Sequence, residues 1–173
     1  ATGSIKAQQQ VNVGAQATGQ IKALHVKVGD VVQPGQLIAE IDATTQQNAL
    51  RDELAGIKSL QAQITARQAA LTLAKQNLAR QEQMMASDAT ARADLQTAQN
   101  QFAAARADLK MSQAALEQAM LKAETARANL GYTRILAPMA GTIVAVVTEQ
   151  GQTVNAAMSS PTIVKLAKLD TVR

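Results

Sequence analysis

The residues of this chain that could do chemistry are few and far apart. His25 is the single histidine among 173 residues, and cysteine is absent. A multi-histidine metal site, a thiolate zinc site, a disulfide and a cysteine nucleophile are therefore excluded. The alternation of His25 with Leu24 and Val26 predicts an exposed strand position without a surrounding cluster of carboxylates. We therefore assign no catalytic, metal-binding or cofactor-binding residue.

Aromatic side chains are almost missing. The chain has one Tyr, one Phe and no Trp, although 47% of its residues are hydrophobic. A compact enzyme of this size usually fills its core with large rings, and a protein that binds single-stranded nucleic acid uses such rings to stack bases. The net charge is +4, but charged residues make up only 17% of the chain, so the basic excess is too thin to indicate nucleic-acid binding. Composition thus argues against an enzyme and against a nucleic-acid partner.

Glycine and proline divide the chain into three parts. No proline lies between Pro34 and Pro138, and the only glycine between Gly35 and Gly131 is Gly56. This middle part is rich in Ala, Gln, Leu and Arg, whereas Val, Ile and Thr concentrate in the two flanks. Strand formers outside and helix formers inside predict a β–α–β layout.

The middle part carries a seven-residue apolar repeat on both sides of a short polar break. Its members are Leu50, Ile57, Ile64, Leu71, Leu78 and Met85, then Leu95, Phe102, Leu109, Leu116, Ala123 and Leu130. A small residue stands three positions after each of the first five members of the second series. Such a repeat predicts a left-handed coiled coil, and the short break near residues 86–91 predicts two antiparallel helices. At about 1.5 Å per residue, helices of roughly 40 residues would project about 60 Å.

The second seam position of the first helix is poorer in apolar residues. Leu54 and Leu60 are apolar, but Gln61, Gln68 and Lys75 are not. This one-sided seam is suited to a two-helix hairpin whose other faces meet water or neighbouring subunits.

The two flanks are halves of one internal repeat. Segments 18–21 and 29–32 correspond to 140–143 and 151–154 at an offset of 122 residues, and 38–41 corresponds to 163–166 after a three-residue insertion. Each half reads as short strands joined by glycine turns. Two such halves can pair as a flattened β-sandwich with pseudo-two-fold symmetry.

The stretch 28–41, Val-Gly-Asp-Val-Val-Gln-Pro-Gly-Gln-Leu-Ile-Ala-Glu-Ile, resembles the biotinyl/lipoyl-carrier fold. The resemblance implies an α+β fold, in which a split lipoyl-like β-sandwich holds an inserted antiparallel helical hairpin. Carriers present a lysine for their cofactor on the next hairpin. In this chain the coiled-coil segment replaces that hairpin. The chain leaves the lipoyl-like unit after Asp42 and returns to it at Tyr132, with no lysine at either junction. No cofactor is therefore expected, and a carrier module is a remote alternative.

A lipoyl-like unit split by a helical hairpin resembles the periplasmic adaptor, or membrane fusion, proteins. The forms Val-Gly-Ala-Gln within 11–21 and Ala-Pro-Met-Ala-Gly within 130–141 are most similar to the adaptors of macrolide exporters. The resemblance implies a periplasmic protein attached to the inner membrane, commonly hexameric, that joins an inner-membrane ABC transporter to a TolC-type outer-membrane channel and forms part of the conduit. Adaptors of proton-driven pumps or type I secretion systems, and a coiled-coil protein without a transport role, are the alternatives.

The resemblance also gives an expected domain organisation. Residues 1–10 would be a strand leaving a β-barrel domain, 11–42 the first lipoyl-like half and 43–131 the hairpin. Residues 132–168 would be the second half, and 169–173 the start of the return into the barrel. The chain would then be a fragment without most of the barrel and without the membrane anchor.

The family's hairpin-tip motif is Arg, then Leu four residues on, then Ser seven further. Arg80 fits the first position, while Met84 and Ala91 replace the Leu and the Ser. Because alanine cannot cap the second helix, Thr90 or Asp88 is expected to take over the cap. The resemblance implies a channel-contacting set of Arg80, Met84, Ser87, Asp88, Thr90 and Ala91.

A second expectation concerns the insertion before Pro161. In macrolide-type adaptors the corresponding loop points into the conduit and carries a Gln that narrows it. Here Met158 occupies that place, followed by Ser159 and Ser160. A ring of Met158 side chains would form a hydrophobic collar, and the alternative is an ordinary hairpin loop.

Overall fold

The computed structural model describes residues 9–168. Of the expected barrel segments 1–10 and 169–173, only Gln9 and Gln10 are among the described residues, where they begin the first strand. The chain divides into two units. The β unit comprises residues 9–49 and 126–168 of the described chain, and the helical unit comprises Leu50–Thr125.

The β unit contains two four-stranded antiparallel sheets. Its strands are β1 (Gln9–Gly14), β2 (Gly19–Leu24), β3 (Val31–Val32), β4 (Leu37–Ile41), β5 (Arg134–Leu136), β6 (Gly141–Val146), β7 (Thr153–Val154) and β8 (Thr162–Lys168). One sheet has the order β1-β8-β6-β3 and the other the order β5-β4-β2-β7. Both sheets draw strands from both flanks of the chain. The expected fold class, a split β-sandwich with an inserted helical hairpin, is confirmed.

The two repeat halves exchange their shortest strands. β3 of the first half pairs with β6 of the second, and β7 of the second half pairs with β2 of the first. The core follows the repeat, because every pair of equivalent apolar positions is buried. These pairs are Ile21 with Ile143, Val32 with Val154, Ile38 with Ile163, Ala39 with Val164, and Ile41 with Leu166. Full burial of each such Val, Ile or Leu side chain contributes about 1.5–3 kcal/mol to folding.

Two equivalent glycines allow the backbone to approach its neighbours closely. A Cβ atom on Gly141 would lie 2.6 Å from the carbonyl oxygen of Ala167, and one on Gly19 would lie 2.7 Å from Cγ2 of Ile41. Each position therefore needs glycine for lack of space.

The two long helices are α1 (Thr44–Ala86) and α2 (Arg92–Gly131). Asp42 precedes α1, and its Oδ1 accepts hydrogen bonds from the Thr44 hydroxyl at 2.8 Å and the Thr44 N–H at 3.0 Å. Within the helical unit, α1 and α2 run antiparallel, because Arg67 Nη1 lies 3.4 Å from Asp108 Oδ2 and Gln81 is bonded to Thr90.

The helical unit is held by a narrow seam. The repeat residues of α1 within this unit are all half-buried, and α1, which is described throughout, has no buried residue. The buried residues of α2 in this unit are Ala98, Leu109, Ser112 and Ala123. Small residues on α2 thus let the helices approach.

The expected second seam position of α1 is wrong except at Leu60. Gln61, Gln68 and Lys75 are exposed, as is Leu54 at 37%. Of the positions three residues after the repeat, Arg67 is exposed, and the half-buried ones are Glu53, Leu60, Ala74 and Gln81. A coiled-coil seam alternates spacings of three and four residues, which puts the second position at +3 when the first is an a position.

Candidate functional site

The turn between the helices has a defined backbone geometry. Asp88 has a φ of 54°, in the left-handed region. The Ala89 N–H donates to the Met84 carbonyl at 2.8 Å, and the Asp88 N–H donates to the Met85 carbonyl at 3.1 Å. These two bonds around a left-handed residue form a Schellman motif, which satisfies carbonyls at the end of α1.

The second helix begins without a side-chain cap. The Ala91 carbonyl accepts the first helical bonds, from the N–H groups of Asp94 at 3.1 Å and Leu95 at 3.3 Å. The expectation that Thr90 or Asp88 caps α2 is wrong. The Thr90 hydroxyl donates instead to Gln81 Oε1 at 2.7 Å, and Asp88 is the left-handed residue that ends α1. Thr90 therefore ties the turn back to α1.

The predicted tip residues differ in exposure. Arg80, Ser87, Asp88 and Ala91 are exposed, whereas Met84 and Thr90 are half-buried. The Ser87 hydroxyl donates back to the Gln83 carbonyl at 3.3 Å. Arg80 has no ion-pair partner within residues 9–168 and lies one helical turn before Met84, so the two share a helix face. The turn thus offers an unpaired cation beside an apolar side chain.

Gln81 is a residue of the turn that sequence reasoning missed. Its side chain is half-buried, and it is the acceptor of the Thr90 hydroxyl. The seven-residue repeat contained the signal for Gln81. This residue stands three positions after Leu78, and a residue at +3 from a repeat member lies in the seam between the helices.

The predicted conduit loop joins β7 to β8. Met158 is 86% exposed, the largest exposed fraction among the large apolar side chains of the described chain, and Ser159 and Ser160 are exposed beside it. The loop presents an apolar group that no described residue covers.

The base of this loop is held by two side chains that sequence reasoning missed. The Ala156 N–H donates to the Thr18 hydroxyl oxygen at 3.0 Å, and the Ala157 N–H donates to Asn155 Oδ1 at 3.0 Å. The Thr18 hydroxyl itself lies 3.5 Å from Asn155 Oδ1. The sequence did contain a signal for Thr18. It is equivalent to Ala140 in the internal repeat, and of the two residues only Thr18 carries a hydroxyl that can bind a loop.

A groove of about 490 Å³ lies within the β unit where β2 and β4 meet the ends of the helices. Its charged lining residues are Lys22, Glu40, Asp42, Arg127 and Arg134. The hydroxyl of Thr44, and then its N–H, hold the pKa of Asp42 below its ordinary value, because both donate to the carboxylate. Lys22 adds a smaller effect in the same direction. The groove combines both charge signs.

His25 has one carboxylate neighbour, which the sequence did not predict. Its Nε2 lies 3.4 Å from Glu40 Oε2, with the two side chains 44% and 36% exposed. At that exposure such a pair contributes little to stability. Within residues 9–168, no cluster of three His, Asp or Glu residues could hold a metal ion. Neither helix of that part combines the length and apolarity needed to cross a membrane.

Comparison with known proteins gives consistent matches. The family model described as the RND MFP barrel-sandwich hybrid domain matches residues 9–166. The pyoverdine export membrane fusion protein PvdR of Pseudomonas aeruginosa is 46% identical over 169 residues, which are 98% of this chain and 43% of that protein. The macrolide export protein MacA of Escherichia coli O157:H7 is 38% identical over 172 residues, covering 99% of this chain and 46% of that protein.

The structure agrees with the sequence matches. The crystal structure of MacA from Actinobacillus actinomycetemcomitans superposes with a TM-score of 0.91 at 40% identity, over 95% of this chain and 51% of that one. The chain therefore spans about half the length of the relatives it matches.

Proposed function

The chain belongs to the membrane fusion protein family, and we propose that it is part of the periplasmic adaptor of a tripartite efflux or secretion pump. In this proposal the adaptor joins an inner-membrane ABC transporter to a TolC-type outer-membrane channel and forms part of the conduit between them. The observation that carries the proposal is the match of a split β-sandwich with its inserted helical hairpin to MacA over 95% of the chain.

The proposed work is mechanical, and the adaptor transfers no chemical group. An α-helix rises about 1.5 Å per residue, so 43 residues of α1 reach over about 60 Å, a length suited to spanning a gap between membrane proteins. The substrate would be chosen largely by the transporter. The full-length protein would be periplasmic, attached to the inner membrane and hexameric.

An ABC-type partner is favoured by the resemblance to macrolide-exporter adaptors and by the match to MacA over 99% of the chain. The matching family model carries the name of the proton-driven RND pumps, so the transporter class is what the experiment must decide. The test is transport in a strain that lacks its own adaptors and carries the full-length protein, a candidate ABC transporter and a channel. Replacing the Walker lysine of that transporter should abolish adaptor-dependent export. Export that persists without ATP hydrolysis and stops when the proton gradient is dissipated would favour the proton-driven alternative.

For the hairpin tip, we expect Arg80 and Met84, with Ser87, Asp88, Thr90 and Ala91 around them, to contact the channel. Arg80→Asp in the full-length protein should abolish cross-linking to the channel and lower drug resistance, because it reverses the unpaired charge of the turn. Arg51→Asp is the matched control, since Arg51 is also exposed on α1 but lies at the other end of the helical unit. Equal cross-linking by the two variants would overturn the tip assignment.

For the loop, we expect the Met158 side chains of neighbouring subunits, with Ser159 and Ser160 beside them, to narrow the conduit. Met158→Ala should raise passive leak through the assembled pump, because the collar loses its apolar side chains. Met111→Ala is the control, since Met111 is 70% exposed on α2 and belongs to the helical unit, whereas the loop belongs to the β unit. Identical leak in both variants would show that the loop is an ordinary hairpin connection.

A further inference from the structure

We propose that Thr18 is a positioning residue that ties the loop 155–160 to the first turn of α1, so that the place of Met158 depends on that turn. The functional meaning of this tie rests on the proposed conduit role of Met158. The tie itself is a statement about contacts within the β unit and can be tested without transport.

On the loop side, Thr18 and Asn155 bind two successive backbone N–H groups. The Thr18 hydroxyl oxygen accepts from Ala156 at 3.0 Å, and Asn155 Oδ1 accepts from Ala157 at 3.0 Å. The same hydroxyl lies 3.5 Å from Asn155 Oδ1, so a single group bonds the loop and contacts the side chain that shapes it. These bonds lie immediately before Met158 and therefore set where that side chain begins.

On the helix side, Thr18 uses its backbone. Gln46 Nε2 donates to the Thr18 carbonyl at 3.4 Å. Gln46 Oε1 is buried and has no hydrogen-bond partner among residues 9–168, so this bond is the one polar contact that orients the amide. Thr18 therefore faces α1 through its carbonyl and the loop through its hydroxyl.

The backbone next to Thr18 has little freedom to move separately. A Cβ atom on Gly19 would lie 2.7 Å from Ile41 Cγ2, and the Asp42 N–H donates to the Gln20 carbonyl at 2.9 Å. Because the chain is packed this closely against the segment that leads into α1, a shift of the first turn should carry Thr18 with it.

The internal repeat gives an independent argument. The residue equivalent to Thr18 is Ala140, which has no hydroxyl. The turn equivalent to 155–162 is 33–37, which is three residues shorter. Thr18, beside the extended loop, thus carries a hydroxyl, whereas Ala140, beside the short turn, does not. This difference is expected if the hydroxyl holds the three extra residues of the loop.

The first test measures hydrogen–deuterium exchange of a peptide spanning 155–160 in the full-length protein. Thr18→Val keeps the shape and removes the acceptor, so exchange at Ala156 should rise about fivefold, the loss expected for one hydrogen bond. Thr18→Ser should restore protection. Thr153→Val, an exposed threonine on β7, is the control and should change nothing. Exchange in Thr18→Val equal to the control would overturn the tie.

The second test addresses the coupling to α1. Gln46→Ala removes the bond to the Thr18 carbonyl without touching the loop, and it should raise exchange at Ala156 by about twofold or more. Gln47→Ala is the control on the neighbouring residue. If the exchange at Ala156 is unchanged in Gln46→Ala, the coupling to α1 is overturned, whatever the result for the Thr18 variants. Because exchange is measured without transport, a Met158→Ala variant with normal leak would refute the conduit role and leave the tie standing.

Discussion

In the β unit most of the buried core positions belong to large aliphatic side chains, whereas in the helical unit most of the buried positions belong to small ones. Ile143, Ile163 and Leu166 are 0% exposed, and they contact a core shared by both sheets. The helical unit buries Ala98, Ser112 and Ala123 but no residue of α1. The β unit is therefore stabilised by a closed core and the helical unit by many small contributions along one seam.

This difference predicts where a single substitution is felt. Removing a side chain from a closed core leaves a cavity that its neighbours cannot fill. Along an open seam the same change is partly relieved by solvent and by movement of the helices. A unit built in the second way can adapt its end to a partner without losing its fold.

The largest contrast is expected from truncating a core residue of the repeat. Ile143→Ala should lower the free energy of unfolding of the β unit by about 2–5 kcal/mol. Ile64→Ala, at a half-buried seam position, should cost about 1 kcal/mol in the helical unit. Native-state hydrogen exchange in each unit measures both values. If both substitutions lower the free energy of unfolding by the same amount, the distinction between a closed core and an open seam is wrong.

The same substitution should have opposite signs in the two units. Gly141→Ala places a methyl group 2.6 Å from the Ala167 carbonyl oxygen and should destabilise the β unit by about 1–3 kcal/mol. Gly56→Ala lies on α1, where the added carbon would meet no heavy atom within 4 Å apart from the surrounding backbone of its own helix, so it should stabilise the helix by up to about 1 kcal/mol. Thermal unfolding of the two variants gives the sign directly. A stabilised Gly141→Ala would mean that the sheets are not packed as closely as described.

At the hairpin turn, Asp88→Gly should stabilise the helical unit by up to about 1 kcal/mol, because glycine avoids the cost of the left-handed conformation. The left-handed φ of 54° strains an aspartate but is unstrained for glycine, and glycine is the usual residue of this motif. Ser87→Gly, one residue earlier and with no positive φ, is the comparison and should be neutral or destabilising. The helical content at elevated temperature separates the two. Destabilisation by Asp88→Gly would indicate that the aspartate side chain has a role of its own.

The smallest effect is expected from Asp42. Hydrogen bonds from Thr44 lower its folded-state pKa below the ordinary value of 3.8, so its contribution to stability is present above that value. The contribution is lost as the pH falls below about 3.8 and through the folded-state pKa. Asp42→Asn should therefore show a smaller decrease in stability between pH 5 and pH 2, an interval of ~3 units, than the unmodified protein. Parallel pH profiles for the two proteins would contradict this.

Much of this architecture was readable from the sequence because it is periodic. The split repeat predicted the equivalence of Ile38 with Ile163, and both are fully buried. The seven-residue repeat predicted the two helices, and the proline-free stretch between Pro34 and Pro138 predicted their uninterrupted length. Periodic burial is a property of many residues at once, so one atypical residue does not hide it.

The details of the site were not readable, because each depends on one side chain choosing among several partners. Thr90 could cap α2 or bond to α1, and only the distance to Gln81 decides between them. Thr18 reaches a loop 138 residues away in sequence, a contact that no local pattern encodes. Of the half-buried +3 seam positions, Leu60 was named from the sequence, whereas Gln81 and Glu53 were not, because they are polar and the apolar pattern did not mark them.

The exchange of short strands between the two repeat halves also has a consequence for the order of folding. β3 and β7 each pair with a strand more than a hundred residues away, so neither half can complete its sheet alone. Closing so long a loop costs conformational entropy, and contacts of this kind slow folding. An antiparallel helix pair forms without closing that loop, and it brings residues 50 and 125 together. We therefore expect the inserted helices, once paired, to shorten the effective loop between the two halves and so to lower the entropic cost of pairing β3 and β7.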